Sequence, residues 1–202
     1  WGVMNQVAIQ EAANIRFPMD NFIGIWWSGA EHDVMPAGEA ANGYKAVTFH
    51  AVGDDFPVFD DIRKYVVDKG LAAGAGDQVG KVVYNRGLYA AMLAAEAAKK
   101  AQEIHGTAQI TPSMMRDGME ALEITEERMA ELGMPNFGPS FSVSCENHGG
   151  DGLGAITQWD AAAGEWQMIS EFGPSDMDVI QPLIIEDSEA FAAESNIEQR
   201  CN

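Results

Sequence analysis

Two tryptophans followed by a serine and a glycine, Trp26-Trp27-Ser28-Gly29, are the residues of this 202-residue chain best suited to binding chemistry. They close a short apolar run, Phe22-Ile23-Gly24-Ile25-Trp26-Trp27, and open α/β sheets present their ligand crevice at the carboxyl ends of strands. Aromatic faces there line an apolar pocket, while the Ser28 hydroxyl and free backbone N–H groups suit a carboxylate or amide. Successive strand residues point to opposite faces, so one tryptophan faces the crevice and the other packs inward. Other spacings carry less. Ser28 with His32, His50, His105 and His148 lacks the hydrolase elbow G-x-S-x-G, and Glu31-His32-Asp33 is a local polar cluster. Cys145-x-x-His148 is half a zinc site with no second close pair. Gly74-x-Gly76-x-x-x-Gly80 has the wrong spacing for a dinucleotide turn and no clear strand ahead of it, so it reads as a linker. None of these spacings makes a clear catalytic, metal or cofactor site, and the expectation is of no enzyme, no metal and no cofactor.

Composition narrows the partner. With 31 acidic against 12 basic residues the formal net charge is −19, which repels phosphate backbones and anionic lipid. Nucleic acid is therefore excluded as a partner. No run of 18 apolar residues predicts a membrane span, and no signal peptide is visible. The chain opens on Trp1-Gly2-Val3-Met4, which reads as the middle of a fold, so the expectation is a fragment lacking N-terminal material and any export signal. The two cysteines, Cys145 and Cys201, are either reduced core residues or a disulfide. Cys201 sits in a polar tail, Glu194 to Asn202, that has little else to hold it. A Cys145–Cys201 bond would stabilise by roughly 3–4 kcal/mol and needs an oxidising compartment.

The elements that must position these residues follow from periodicity and punctuation. Val7, Ala8, Ala12 and Ile15 predict a helix over Asn5 to Ile15, ended by Arg16-Phe17-Pro18. The run from Phe22 to Trp27 reads as a strand buried on both faces, and Tyr44 to Phe49 as a second, with a short helix to Ala41 between them. Asp54-Asp55-Phe56-Pro57 opens a helix with an aspartate as N-cap, and Gly70 stops it. Helices follow over Val82 to Ala101, Thr111-Pro112 to Leu122, and Thr125 to Leu132. Phe141, Val143 and Cys145 then alternate with serines as a strand. Leu153 to Trp159 and Glu165 to Ile169 form a hairpin around Asp160-Ala161-Ala162-Ala163-Gly164. Beyond Phe172 the chain is acidic and weakly patterned. The fold class is α/β with a mixed sheet.

The order of segments supplies a resemblance. Trp1-Gly2 leads to Val7-Ala8-Ile9-Gln10-Glu11-Ala12-Ala13, then Phe22 to Gly29, Ala41-Asn42-Gly43-Tyr44-Lys45-Ala46-Val47, and Tyr84-Asn85-Arg86-Gly87-Leu88-Tyr89-Ala90-Ala91. Val143-Ser144-Cys145-Glu146-Asn147-His148-Gly149-Gly150 and Gln158-Trp159-Asp160 complete it. Together these resemble the C-terminal half of leucine/isoleucine/valine-binding-protein-like receptors, the type I periplasmic binding proteins of ABC importers. The resemblance implies two α/β lobes that close on a small ligand and deliver it to a membrane permease. It assigns residues 1–76 to the second lobe, 77–138 to a return into the first, 139–180 to the second again and 181–202 to a C-terminal tail. It places Trp1, Gly2 and Met4 in a loop over the ligand, and Tyr84 at the apolar end of the pocket. Trp26 stands where branched-chain amino-acid binders carry a glutamate for the ligand's ammonium, with Trp27 and Ser28 beside it and Glu31 a few residues on as a substitute carboxylate. The implied protein is periplasmic or otherwise extracytoplasmic, does not insert in the membrane, and binds an amino acid or related carboxylate or amide. The competing expectation is a ligand-sensing domain of the same fold, used in signalling or regulation.

Overall fold

Local signals set most of the element boundaries in the computed structural model, which describes residues 2–198 and Cys201. The helices are α1 (Val3–Asn14), α2 (Glu31–Val34), α3 (Pro57–Ile62), α4 (Val82–His105), α5 (Pro112–Glu120), α6 (Glu126–Glu131) and α7 (Met177–Ser195). The strands are β1 (Ile23–Gly24), β2 (Lys45–Thr48), β3 (Glu123–Ile124), β4 (Phe141–Ser142), β5 (Leu153–Asp160), β6 (Glu165–Met168) and β7 (Gly173–Pro174). Thr111 and Thr125 cap α5 and α6, their hydroxyls accepting from the N–H groups of Met114 and Arg128 at 3.3 and 3.1 Å. Gly133 leaves α6 with φ +72°, a conformation glycine adopts freely, and its carbonyl accepts the Val58 N–H at 3.0 Å. α3 starts at Pro57, but its N-cap is Phe56 and not an aspartate. Asp54 is drawn off by an ion pair with Arg63 in the π-helical turn Arg63–Val67 that continues α3.

The chain divides into two units. The first takes the chain up to Leu93, then Thr125–Ser140 and Gly154–Phe172. Its mixed sheet has the order β1-β2-β5-β6: β1 runs parallel to β2, while β5 is antiparallel to both β2 and β6. The hairpin pairs Trp159 with Trp166 and Asp160 with Glu165, in the predicted place. Along β5 the period of two puts Ala155, Thr157 and Trp159 inward. One core joins Ile9, Val34, Tyr44, Val82, Trp159 and Trp166. A separate aromatic nest surrounds Phe137, whose ring lies 4.9 Å from Phe56, 5.9 Å from His50 and 6.2 Å from Phe59 and Tyr89.

The strand expected over Phe22 to Trp27 is shorter and more exposed than its sequence suggests. Only Ile23 and Gly24 pair, and Trp26–Ser28 turns into a 3-10 helix. Ile23 and Ile25 are 57% and 62% exposed, so this is an edge and not a strand buried on both faces.

The second unit comprises Ala94–Ile124, Phe141–Leu153 and the chain from Gly173 onward. The end of α4 lies here against α5, where Gly118 permits close approach: a Cβ would collide with the Ala97 carbonyl and with Ala101. β3 and β4 pair antiparallel, Ile124 opposite Phe141, but the strand does not reach Cys145. Cys145 and Cys201 form a disulfide with Cα atoms 5.6 Å apart. The segment beyond Phe172 is not an unpatterned tail: Met177–Ser195 is helical, ended by Asn196 at φ +51°. No described residue of α7 is buried.

Candidate ligand-binding site

In the first unit, backbone groups freed at element ends converge on Trp26, and side chains from distant segments satisfy them. Gly24 makes the turn after β1 possible: any Cβ there would collide with the Tyr44 hydroxyl and Ser28 Oγ. Tyr44 uses that space to donate to Ser28 Oγ at 2.9 Å, and Ser28 in turn donates to the Ile25 carbonyl at 2.9 Å. Burial is the main cause that raises the Tyr44 pKa, so the phenol stays protonated as donor. The Ser28 hydroxyl is thus engaged within the fold.

The acidic cluster that follows is equally engaged. Asp33, fully buried, accepts from the Ala30 N–H at 3.1 Å and from the Asn5 side-chain amide at 3.0 Å. The same Asn5 amide donates to the Trp27 carbonyl at 2.8 Å, tying α1 to the tryptophan turn. Both oxygens of Glu31 accept the Val82 N–H, at 3.2 and 3.3 Å. A carboxylate there answers the positive end of the α4 dipole.

One turn further along α4, Arg86 comes back over the tryptophans. Its Nη2 donates to the Trp26 carbonyl at 2.7 Å. Its guanidinium carbon lies 4.3 Å above the Trp26 ring and 5.6 Å from the Trp27 ring, a cation–π arrangement. The two indoles are themselves 4.8 Å apart, and Phe49 approaches Trp26 edge-on at 5.4 Å. Burial lowers the Arg86 pKa, while the charges of Asp33 and Glu31 act the other way.

The sequence-predicted residues are distributed as follows. Trp26, Trp27 and Ser28 form this turn and Glu31 starts α2 just beyond it, with Trp27 44% exposed. Tyr84 is half-buried on the first turn of α4, where its ring partner is Phe59 at 6.5 Å. Gly2 is exposed at the start of α1 and Met4 is 74% exposed on it. Trp1 lies outside the described residues. Sequence reasoning missed Arg86 as a member of the site. Nothing local marks it, because its partner carbonyl is 60 residues away. It also missed two buried acceptors near α4, His50 Nε2 and Asn85 Oδ1, which have no hydrogen-bond partner among the described residues. Burial lowers the His50 pKa to about 4, so the ring is neutral and its Nδ1 donates to the Ala51 carbonyl at 2.9 Å. No group of three or more His, Cys, Asp or Glu that could hold a metal occurs among the described residues.

No protein-family model matches the chain, and no curated protein does. Solved structures do. A crystal structure described as an ABC transporter permease from the Pseudomonas fluorescens group matches 100% of this chain and 49% of its own, with TM-score 0.91 and 36% identity. A branched-chain amino acid ABC transporter from Thermus thermophilus with bound valine matches 85% of this chain and 44% of its own, at TM-score 0.61 and 21% identity. An ABC transporter substrate-binding protein from Aeropyrum pernix matches 85% and 42%, at 0.52 and 18%. The fold is an incomplete type I periplasmic binding protein fold. The chain spans about half the length of the structures it matches. Within that fold the Trp26 turn follows the end of β1, the location that open α/β sheets use for ligands. No helix among the described residues is long and apolar enough to cross a membrane.

Proposed function

We propose that this chain is the ligand-binding part of an extracytoplasmic solute receptor, which closes on a small organic molecule and delivers it to the permease of an ABC importer. The observation that carries this is the match of the whole chain to an ABC transporter component at TM-score 0.91 and 36% identity. The Thermus neighbour, a branched-chain amino acid transporter with bound valine, supports a ligand of amino-acid size. A Cys145–Cys201 disulfide supports an oxidising, extracytoplasmic setting. Trp26, Trp27 and Tyr84 are the side chains we assign to the ligand, with Gly2, Met4 and Trp1 as further contacts. Ser28 and Glu31 serve the same site from behind, since their polar atoms hold the turn and the start of α4.

In this reading binding makes and breaks no bond, and the ligand acts by favouring one conformation. The test is a thermal-shift screen of the protein at its full natural length against amino acids, deaminated carboxylates, amides and polyols. A cognate ligand at a hundred times its dissociation constant adds about 2.7 kcal/mol of stability. Failure of every class to raise the melting temperature would remove the receptor reading.

A further inference from the structure

Both ways of holding a ligand ammonium at the Trp26 turn are already used by the protein. The face of the Trp26 ring that would bind a cation carries the Arg86 guanidinium at 4.3 Å, and Trp27 lies within 5.6 Å of the same charge. A second cation on these indoles would meet Arg86 as a like charge in a partly desolvated setting, where such repulsion is strong. Glu31 gives both carboxylate oxygens to the Val82 N–H, and Asp33 is fully buried with Ala30 and Asn5 as partners. Arg86 itself makes a single hydrogen bond among the described residues, Nη2 to the Trp26 carbonyl. Of its remaining donors Nε is buried without a partner among the described residues, while the unused Nη hydrogens belong to a residue that keeps part of its surface exposed, and guanidinium N–H groups of this kind match a carboxylate. Burial lowers the Arg86 pKa, and Asp33 and Glu31 oppose that through charge without taking its donors.

We infer that the ligand presents a carboxylate, and no ammonium, to the Trp26 turn, and that Arg86 is the residue that reads it. This rests on the receptor reading above and names its ligand class: an organic acid without an amino group at that end. The apolar or aromatic body of such an acid would lie on Trp27, whose ring is partly exposed.

The experiment is calorimetry on the protein at its full natural length with matched sets: α-amino acids, the corresponding 2-oxo or unsubstituted carboxylic acids, and the neutral amides of those acids. The unsubstituted or 2-oxo acids bind more tightly than their amino counterparts. Arg86→Gln weakens the acid by roughly ten- to a hundredfold and its neutral amide by a much smaller factor, while Arg86→Lys recovers part of the acid's loss. A merely structural role for Arg86 would weaken acid and amide alike, and that result overturns the inference. Amino acids binding as tightly as their deaminated partners would overturn it too, with the receptor reading intact. No binding by any member of any set would overturn both.

Discussion

The two units are stabilised by different means. The first buries large side chains against one another: Tyr44, Phe59, Phe137, His50 and Asn85 are almost completely enclosed, and Tyr44 and Asn85 donate to groups 16 and 32 residues away. The second has small residues at its helix contact, Ala97, Ala101 and Gly118, and a helix, α7, with no buried described residue. What closes it is covalent, the Cys145–Cys201 bond. Burial acts on the folded state by removing apolar surface from water, whereas a disulfide acts chiefly by restricting the unfolded chain. The first unit is therefore sensitive to shape, and the second to redox state.

The largest effect that could break this contrast is in the aromatic nest. Phe137→Ala removes the ring that meets His50, Phe56, Phe59 and Tyr89, and is expected to cost about 3–5 kcal/mol in urea unfolding. A loss below about 1 kcal/mol would mean that the first unit does not depend on tight packing. Next comes the disulfide. Reduction, or paired Cys145→Ser and Cys201→Ser changes, should remove about 3–4 kcal/mol for a 56-residue separation. Hydrogen exchange should quicken in α5, β3 and α7 while β2 and β5 keep their protection; uniform acceleration would contradict the division.

The pH dependence sharpens the same comparison from the buried side. Burial is the main cause that lowers the His50 pKa from 6.5 to about 4, with the nearby Arg86 charge adding to it and the bond to Ala51 opposing it. The unfolded chain therefore binds more protons than the folded one between these values. Stability from the neutral ring is complete above about pH 6.5 and is lost as pH falls through about 4, up to about 3 kcal/mol. Comparing His50→Phe with the unmodified protein at pH 7 and pH 4.5 isolates it, since the variant should lose less on acidification; identical slopes would refute it. The smallest effect lies in the second unit, where Thr111→Ala should cost about 1 kcal/mol by uncapping α5.

What could be read from sequence was whatever is decided within a few residues. Thr111-Pro112 and Thr125 announce helix starts because an N-cap hydroxyl reaches only to the third residue on. The β5–β6 hairpin was legible because two short strand-like runs, Leu153 to Trp159 and Glu165 to Ile169, flank the five-residue break Asp160 to Gly164, whose glycine suits a turn. The disulfide was legible from a lone cysteine near the end of a polar segment. Of the candidate site, the residues alone singled out the Trp26-Trp27-Ser28-Gly29 string, and the family resemblance added Trp1, Gly2, Met4, Glu31 and Tyr84. The pairings there, Glu31 with the Val82 N–H and Arg86 with Trp26, join residues 51 and 60 positions apart, and no local pattern encodes such pairs. The Phe22 to Trp27 run was misread because an apolar run says that side chains are hydrophobic, not how many neighbours cover them. Helix α7 was hidden by its acidic residues and by Pro182 inside it, which removes one helix hydrogen bond.

The β1 edge has a consequence for how copies of the molecule behave toward one another. Among the described residues β1 pairs with β2 alone, and Ile23 and Ile25 project from that rim into solvent. Such a rim is a template for another strand. At neutral pH a formal charge of −19 keeps copies apart. Acid that protonates the carboxylates, or salt that shortens the screening length to a few ångströms, removes this repulsion and leaves the adhesive rim in place. The acidity of the chain thus opposes pairing at its own sheet edge, and self-association is expected first in acidic, high-salt solutions, where light scattering would detect it.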